Sequence, residues 1–461
     1  MIEIATGVEI DGFRVGECVH AGAMGRIFKV TGPEPGADLA MKVPRLGLAD
    51  ANELLLGFET EAMILPLLRT RHVPRFFAAG HVATAPYIVT EWVPGRSLDA
   101  RLGAPLAAEE VARIGAAIAD ALRMVHAQGV IHFDLKPDNV VMRPDGTAVL
   151  VDFGLAHHDD LPDLLAEEMR YAAGSAPYIS PEQVLGNRTD PRSDLFSLGV
   201  LLYELATARL PFGTPASLKA YRDRLWLDPK PPSRAGNVPP WLQEVILRCL
   251  EPDPEHRYQA AGHVAFDLRH PDQVPLTARA TKTEQEGLLR QVGRWWRARD
   301  VETRRPPPET RDGARVVMIA VDTSHPEDRR HPELRRVARQ ILTLSAEFRV
   351  VCVSVISVGP GSTVAGESEA VVEHRVRLAN WVQPLDLPAQ RLSLHVLEAG
   401  DPGDALVDFA RRNAVDLIVV GAPGPQEMAL AWWRSVASKV TANAPCSVYV
   451  VRVPEEGPEG A

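Results

Sequence analysis

The chain has 461 residues, 46% of them hydrophobic and 24% charged, a balance that excludes a disordered or fibrous chain. Its net charge of −10 gives no general attraction to phosphate backbones or anionic lipid, which excludes nucleic acid and membrane surfaces as first partners. At about 100–200 residues per domain, the length predicts two or three domains.

Cys18, Cys249, Cys352 and Cys446 lie far apart and form no C-x-x-C pair, against a zinc site or a disulfide scaffold and in keeping with a reducing cytosol. The first residues carry early acids and no apolar core of a signal peptide. No apolar run approaches the roughly 18–20 residues that span a bilayer. The expectation is a soluble, cytoplasmic protein with no membrane span.

In chain order, short strand patterns and then longer helical ones run from about Asp11 to His270. Val19 to Ile27 (VHAGAMGRI) carries Gly22 and Gly25 between strand-like segments, where backbone N–H groups could approach phosphate oxygens without Cβ interference. Lys42 follows on the next strand, able to bridge two phosphates. Glu61 lies on an amphipathic helix (GFETEAMILPLL) and can anchor that lysine, with Glu59 as the alternative partner. Further on comes His132-Phe133-Asp134-Leu135-Lys136-Pro137-Asp138-Asn139, and after it Asp152-Phe153-Gly154. Phosphoryl transfer needs a carboxylate for the hydroxyl proton, oxygen ligands for magnesium and a cation near the moving phosphate. Asp134, Asn139 with Asp152, and Lys136 offer these in that order. A single Asp or Asn in a loop is most often a turn former, but this many positions in order leave that reading little room.

The segment 271–313 is rich in Arg and Thr and ends in a run of prolines, the texture of a linker. Within it, Glu284 to Asp300 could form a helix with Leu288, Leu289, Val292, Trp295 and Trp296 on one face, packed on a neighbouring domain or used to bind a membrane or partner. From Ala314 the pattern becomes strand (RVVMIAVD), helix, strand (RVVCVSVISV), and then a helix around Val371 to Trp381. It continues as strand (LSLHVLEAG), helix (ALVDFARRNA), strand (LIVVG), helix (SVASKVTANA) and strand (SVYVVRV). Continuous Val/Ile strands alternating with helices predict a parallel sheet covered on both faces. The acidic, Gly/Pro-rich tail is expected to fray.

The order Gly22/Gly25, Lys42, Glu61, His132-x-Asp134, Asn139, D-F-G and Ser180-Pro181-Glu182 resembles the eukaryotic-like Ser/Thr protein kinases of bacteria, over about the first 270 residues. The resemblance implies an α+β bilobal kinase fold, ATP with Mg2+ or Mn2+, and protein substrates with Ser/Thr hydroxyls. It implies Asp134, Lys136, Lys42 and Glu61 as catalytic residues, and Asn139 and Asp152 as metal ligands. Val19, Gly22, Gly25, Ile27, Lys42, Glu91 and Val93 would bind the nucleotide. Tyr87 to Val93 resembles the hinge that holds adenine through its backbone, with Thr90 as gatekeeper. Asp194 resembles the buried aspartate that braces the catalytic loop, and Arg257 the partner of Glu182. Lys136 in D-L-K-P, with Gly174-Ser175 before S-P-E, is similar to Ser/Thr-directed enzymes.

Two positions depart from that family. His20 replaces the first loop glycine, costly if φ is positive there. Phe133 replaces the arginine that usually receives an activation-loop phosphate, and residues 155–174 contain no Ser or Thr. Only Tyr171 could be modified there, among Asp159, Asp160, Asp163, Glu167 and Glu168. The loop is therefore expected to do without phosphate-on-arginine ordering.

The C-terminal pattern resembles the universal stress protein family, a doubly wound α/β fold whose nucleotide-binding members show G-x2-G-x9-G-[ST]. Asp322, Gly421, Gly424, Arg434 and Ser435 would form a second nucleotide site, with Arg434 where the last glycine should stand. ATP binding there and a dimerisation, partner-binding or regulatory module remain equal readings. The expected division is 11–270 kinase, 271–313 linker, 314–453 stress-protein-like domain and 454–461 tail. Beside the enzyme stand two other readings, a nucleotide-sensing pseudokinase scaffold and a stress-responsive interaction protein.

Overall fold

The computed structural model of the chain describes residues 4–22, 25–34, 36–45, 51–80, 85–168, 174–215, 221–285, 315–325, 327–328, 330–344, 348–358, 367–422 and 435–452. Three layers of structure follow one another along it: an antiparallel sheet, a helical lobe and a parallel sheet.

Strands β1 (Glu9–Ile10), β2 (Phe13–Ala21), β3 (Gly25–Thr31), β4 (Leu39–Pro44), β5 (Phe76–Ala79) and β6 (Ile88–Glu91) pair in the order β1-β2-β3-β4-β6-β5, every pair antiparallel. Alternation of inward and outward residues sets the register, and Phe13, Val15, Phe28, Val30, Leu39, Met41, Val43 and Val89 share one core. Helix α1 (Ala51–Ile64) joins the second core through Leu55 and Phe58.

Below this sheet the chain is helical. Helix α2 (Ala108–His126) begins with Glu109 and Glu110 and has Arg123 in its last turn, each sign at the end the helix dipole favours. Its apolar stripe, Val111, Ile114, Ile118, Leu122 and Val125, is wholly buried. Short strands β7 (Arg96–Ser97), β8 (Val130–Ile131), β9 (Val140–Met142), β10 (Ala148–Leu150) and β11 (His157–His158) carry the loops of interest. Beyond them come α3 (Leu164–Glu168), α4 (Pro181–Val184), α5 (Arg192–Thr207), α6 (Pro240–Cys249) and α7 (Ala261–Arg269). Helices α2, α5, α6 and α7 supply most of the core.

The last layer is a five-stranded sheet of β12 (Val316–Ala320), β13 (Arg349–Ser357), β14 (Leu392–Ala399), β15 (Leu417–Gly421) and β16 (Ser447–Val451). Its order is β14-β13-β12-β15-β16 with every pair parallel, a doubly wound topology with the reversal beside β12. Helices α8 (Arg330–Leu344) and α9 (Glu367–Val382) cover one face; α10 (Pro402–Arg412) and α11 (Val436–Asn443) cover the other. Every element expected of this domain is present, with ends differing by a few residues, as caps decide them. Asp401 accepts from the N–H of Asp404 to start α10 before the apolar pattern begins. The helix expected over Glu284 to Asp300 falls mostly outside the described residues. Among those described, no helix is long and apolar enough to cross a membrane.

The parallel-sheet domain packs on the rest of the chain. Helix α9 lies against α1, and β14 against α3. Val372 of α9 belongs to the helical lobe's own core, and Val376 packs against it.

Candidate active site

Between the antiparallel sheet and the helical lobe, residues separated by more than a hundred positions meet. Lys42 projects from β4, and its Nζ donates to Glu61 Oε2 at 2.6 Å and to Asp152 Oδ1 at 2.8 Å. Glu61 Oε1 also accepts from the N–H of Phe153 at 3.3 Å, so α1 is tied to the segment that carries Asp152. Burial pushes the Lys42 ammonium toward losing its proton, but Asp152 and Glu61 outweigh that and raise its pKa well above the usual lysine range. Burial likewise pushes Asp152 up, and the adjacent Lys42 more than offsets it, holding the carboxyl at about 2. At neutral pH this is a fixed cation between two acidic groups.

The alternative partner, Glu59, points elsewhere. Two residues on a helix differ by about 200° around the axis, so only one of the pair can face Lys42. Glu59 instead meets Arg375 of α9, which reaches it through Nε at 3.2 Å.

Asp134 sits on the loop after β8, buried. Its Oδ1 accepts from the N–H of Ser175 at 3.0 Å, and its Oδ2 from Lys136 Nζ and Asn139 Nδ2, each at 2.9 Å. Lys136 also donates to Ser175 Oγ at 2.9 Å, so the segment before S-P-E is stitched to the loop. Ser175, noted in the sequence only as a family mark, is a full member of this cluster.

The loop is held in an unfavourable shape by its neighbours. Phe133 has φ +58° and Asp152 φ +64°, in the left-handed region where bulky residues are rare. Asp194 of α5, completely buried, accepts from the N–H groups of His132 and Phe133, both at 2.9 Å, and from His126 Nε2 at 2.8 Å. Gln183 Nε2 donates to the carbonyl of Phe133 at 2.8 Å. Where a cation was expected to be missing, the Arg188 guanidinium lies 4.8 Å from the centre of the Phe133 ring and donates to Asp163 at 2.8 Å. Glu182 and Arg257 form a buried two-pronged pair at 2.6 and 3.1 Å.

The glycine loop is a hairpin. The N–H of Gly22 donates to the carbonyl of Gly25 at 2.9 Å. A Cβ at Gly25 would come within 2.5 Å of the carbonyl oxygen of Val43, so only glycine fits there. His20 does not carry the strain expected of it. It lies in β2, paired with Ile27, and is absent from the residues with positive φ. The register, which shifts on either side of Cys18, keeps position 20 extended. Val19 and Ile27 flank this hairpin on β2 and β3. Along the hinge, Glu91 accepts from Arg143 at 2.7 Å, Thr90 Oγ1 donates to the Glu91 carbonyl at 3.3 Å, and Val93 follows half-buried.

Among the described residues no group of three or more His, Cys, Asp or Glu side chains could hold a metal by itself. Magnesium does not need one, since it binds through one or two protein oxygens together with phosphate oxygens and water. Asn139 and Asp152 fit that demand. The Asn139 amide nitrogen is engaged with Asp134, also bonding its carbonyl at 2.9 Å, so the amide oxygen is the atom it could offer a metal.

In the parallel-sheet domain the expected second site is only partly described. β12 ends at Ala320, so Asp322 lies in the following turn, exposed, accepting from the N–H of Ser324 at 3.0 Å. Gly421 ends β15 against the Arg330 side chain, and Ser435 caps α11 by accepting from the N–H of Ser438. Gly424 and Arg434 lie outside the described residues, as does Tyr171.

Residues 13–267 match the family model described as the protein kinase domain, and residues 313–452 the universal stress protein family. The chain is 36% identical over 288 residues to the serine/threonine-protein kinase Pkn1 of Myxococcus xanthus, covering 60% of this chain and 41% of that one. It is 33% identical over 291 residues to the serine/threonine-protein kinase PknB of Mycolicibacterium smegmatis, covering 60% and 46%. The chain thus spans less than half the length of these relatives. Among solved structures, the Mycobacterium tuberculosis PknI kinase domain is similar at 25% identity with a TM-score of 0.44, covering 58% of this chain and all of that one.

Proposed function

We propose, on the premise that this chain belongs to the protein kinase family, that it transfers the γ-phosphoryl group of ATP to Ser/Thr hydroxyls of proteins. The observation that carries this reading is Lys42, which reaches Glu61 and Asp152 at once while Asp134 holds Lys136, Asn139 and Ser175. A scaffold that only sensed nucleotide would need neither the base nor two metal-ligand positions.

In the reaction, the substrate hydroxyl oxygen forms a bond to the γ-phosphorus as the bond from that phosphorus to the bridging oxygen breaks. The hydroxyl proton goes to the Asp134 carboxylate, and ADP leaves. Lys136 steadies charge on the moving group, and its bond to Ser175 supports a site for short Ser/Thr side chains rather than tyrosine. Lys42, fixed by Glu61, takes the other phosphates. Gly22 and Gly25 bring backbone N–H groups close, with Val19 and Ile27 over the base and the Glu91 and Val93 backbone at its edge. Asn139 and Asp152 would hold Mg2+ or Mn2+, which when bound neutralises the phosphate oxygens. The universal stress protein match supports a role in stress signalling.

The test is label transfer from γ-labelled ATP, with and without a generic Ser/Thr protein acceptor, by the wild-type chain and by Asp134→Asn. Transfer to Ser/Thr by the first and its loss in the second is the expected result. Equal label in both would overturn the enzymatic reading.

A further inference from the structure

Three glutamates of the kinase domain are met by cations of the C-terminal domain. Arg375 of α9 is 0% exposed and grips the Glu59 carboxylate with Nε at 3.2 Å and Nη2 at 2.5 Å. Its Nη1 lies 3.9 Å from Glu168 Oε2. Arg349 of β13 pairs with Glu167, and the Ser393 hydroxyl donates to the same carboxylate at 3.0 Å. His395 of β14 bonds Glu167 through Nε2 at 2.7 Å and Glu168 through Nδ1 at 2.9 Å. Ionised carboxylates only accept, so between two ionised glutamates this ring donates from both nitrogens, as an imidazolium does.

Where these carboxylates lie is what matters. Glu59 is two residues before Glu61 on α1, and Glu167 and Glu168 end α3, between Gly154 and Ser175. Leu56 of α1 packs with Leu164 and Leu165 of α3, so the two helices are in direct apolar contact. These are the parts that must be in position for Lys42 to meet Glu61 and for Ser175 to reach Asp134. The chain lacks a phosphorylatable Ser or Thr over 155–174, and Phe133 stands where a cationic receptor would be, with Arg188 over its ring already paired to Asp163. An anionic anchor and its receptor are nevertheless both present. The anchor is a pair of carboxylates, and the receptor is supplied by another domain. In this docked arrangement the Lys42–Glu61 contact is made.

We propose that the C-terminal domain is the kinase's own activator in cis, and that Arg375 is its principal positioning residue, acting through Glu59 and Glu168 on α1 and α3. This rests on the kinase reading above. Arg349 and His395 complete the receptor. The arrangement does permanently, by fold, what an activation-loop phosphate on arginine does conditionally.

The test uses the full chain. Arg375→Gln is expected to lower kcat by about ten- to a hundred-fold, the scale of a misplaced reacting group. Hydrogen exchange in 51–64 and 164–168 should accelerate in the same variant. Arg375→Lys, which keeps the charge but not the fork, should recover part of the rate. His395→Gln approaches the same contact from β14 and should lower kcat in the same direction, which guards against misfolding of one variant. An interface that merely joined two domains would shift the melting temperature and leave kcat alone. Wild-type turnover in Arg375→Gln and His395→Gln, with exchange of the two helices unchanged, would overturn the proposal and leave the kinase reading standing. A wild-type chain that transfers no phosphoryl group would overturn both.

Discussion

Asp194 accepts the backbone N–H of Phe133 at 2.9 Å and so holds in the left-handed region the residue immediately before Asp134. A non-glycine residue there costs on the order of 1–3 kcal/mol, kept only because the surroundings over-determine it. Burial alone would raise the Asp194 carboxyl, but His126 and His132 hold it below the usual aspartate range, so it is a full anion at neutral pH. Asp194→Asn presents one acceptor oxygen and an NH2 group to donors that need two oxygens. Transfer activity should fall at least about tenfold and stability by roughly 2–4 kcal/mol. Unchanged kcat with unchanged urea midpoint would show that the loop holds its shape without this brace.

Lys42 and Glu61 offer a sharper comparison. Lys42→Met removes the cation shared by buried Glu61 and half-buried Asp152. The remaining pair should then titrate upward, and activity should drop by about a hundredfold or more, measured as label transfer under saturating ATP. Glu61→Gln keeps a hydrogen-bond acceptor for Lys42, so its loss should be smaller. Equal losses in both would mean that Glu61 acts through its charge and not through its place.

The pairing of Lys42 with Glu61 was legible from the match to the kinase helix, and helical phase adds that only one of Glu59 and Glu61 can face Lys42. The same phase hides what Glu59 does. Its partner Arg375 lies 316 positions away, and a charge in a sequence carries no mark of its counter-ion. His395 was equally silent, since a lone histidine in a strand pattern reads as core. Ser175 could have been found from the requirement that a short donor join Asp134 to the substrate side. The penalty assigned to His20 failed for a different reason. Substitution of a loop glycine implies strain only if φ is positive, and strand pairing with Ile27 removes that condition. For the parallel sheet, the unbroken Val/Ile runs were sufficient, because burial on both faces leaves few other folds.

Arg257 fastens more than its ion pair. Besides Glu182 it donates to the carbonyls of Glu251, Pro252 and Arg192 at 2.6, 3.0 and 3.0 Å. Arg257→Met therefore leaves a buried carboxylate and three carbonyls without their donor, a loss of about 3–5 kcal/mol. Glu182→Gln in the same chain should relieve the charge but not the carbonyls. The double variant should come out less destabilised than the sum of the singles, by about 0.5–3 kcal/mol in a thermal or urea series. Strict additivity would mean that the two side chains do not act on each other.

The pH dependence of domain docking has a definite sign. His395 is faced by Glu167 and Glu168 from α3, whose carboxylates also meet Arg349, Ser393 and Arg375, and by the Phe409 ring of α10. Burial pulls its pKa down, and the two glutamates more than offset this, raising it above the ordinary histidine value. A raised folded-state pKa gives stability that is complete below the unfolded value of about 6.5 and lost as pH climbs through the folded one. Glu167 has the opposite sense. Burial pushes it up, but Arg349 and His395 hold it below the usual range, so its contribution is present above that range and lost in acid. Docking should be firmest in mildly acidic solution. The gap in melting temperature between wild type and His395→Gln, followed from pH 6 upward, should therefore narrow steadily as the imidazolium is lost. A gap that stays constant to about pH 10 would mean that His395 holds its two glutamates as a neutral ring, contrary to donation from both of its nitrogens.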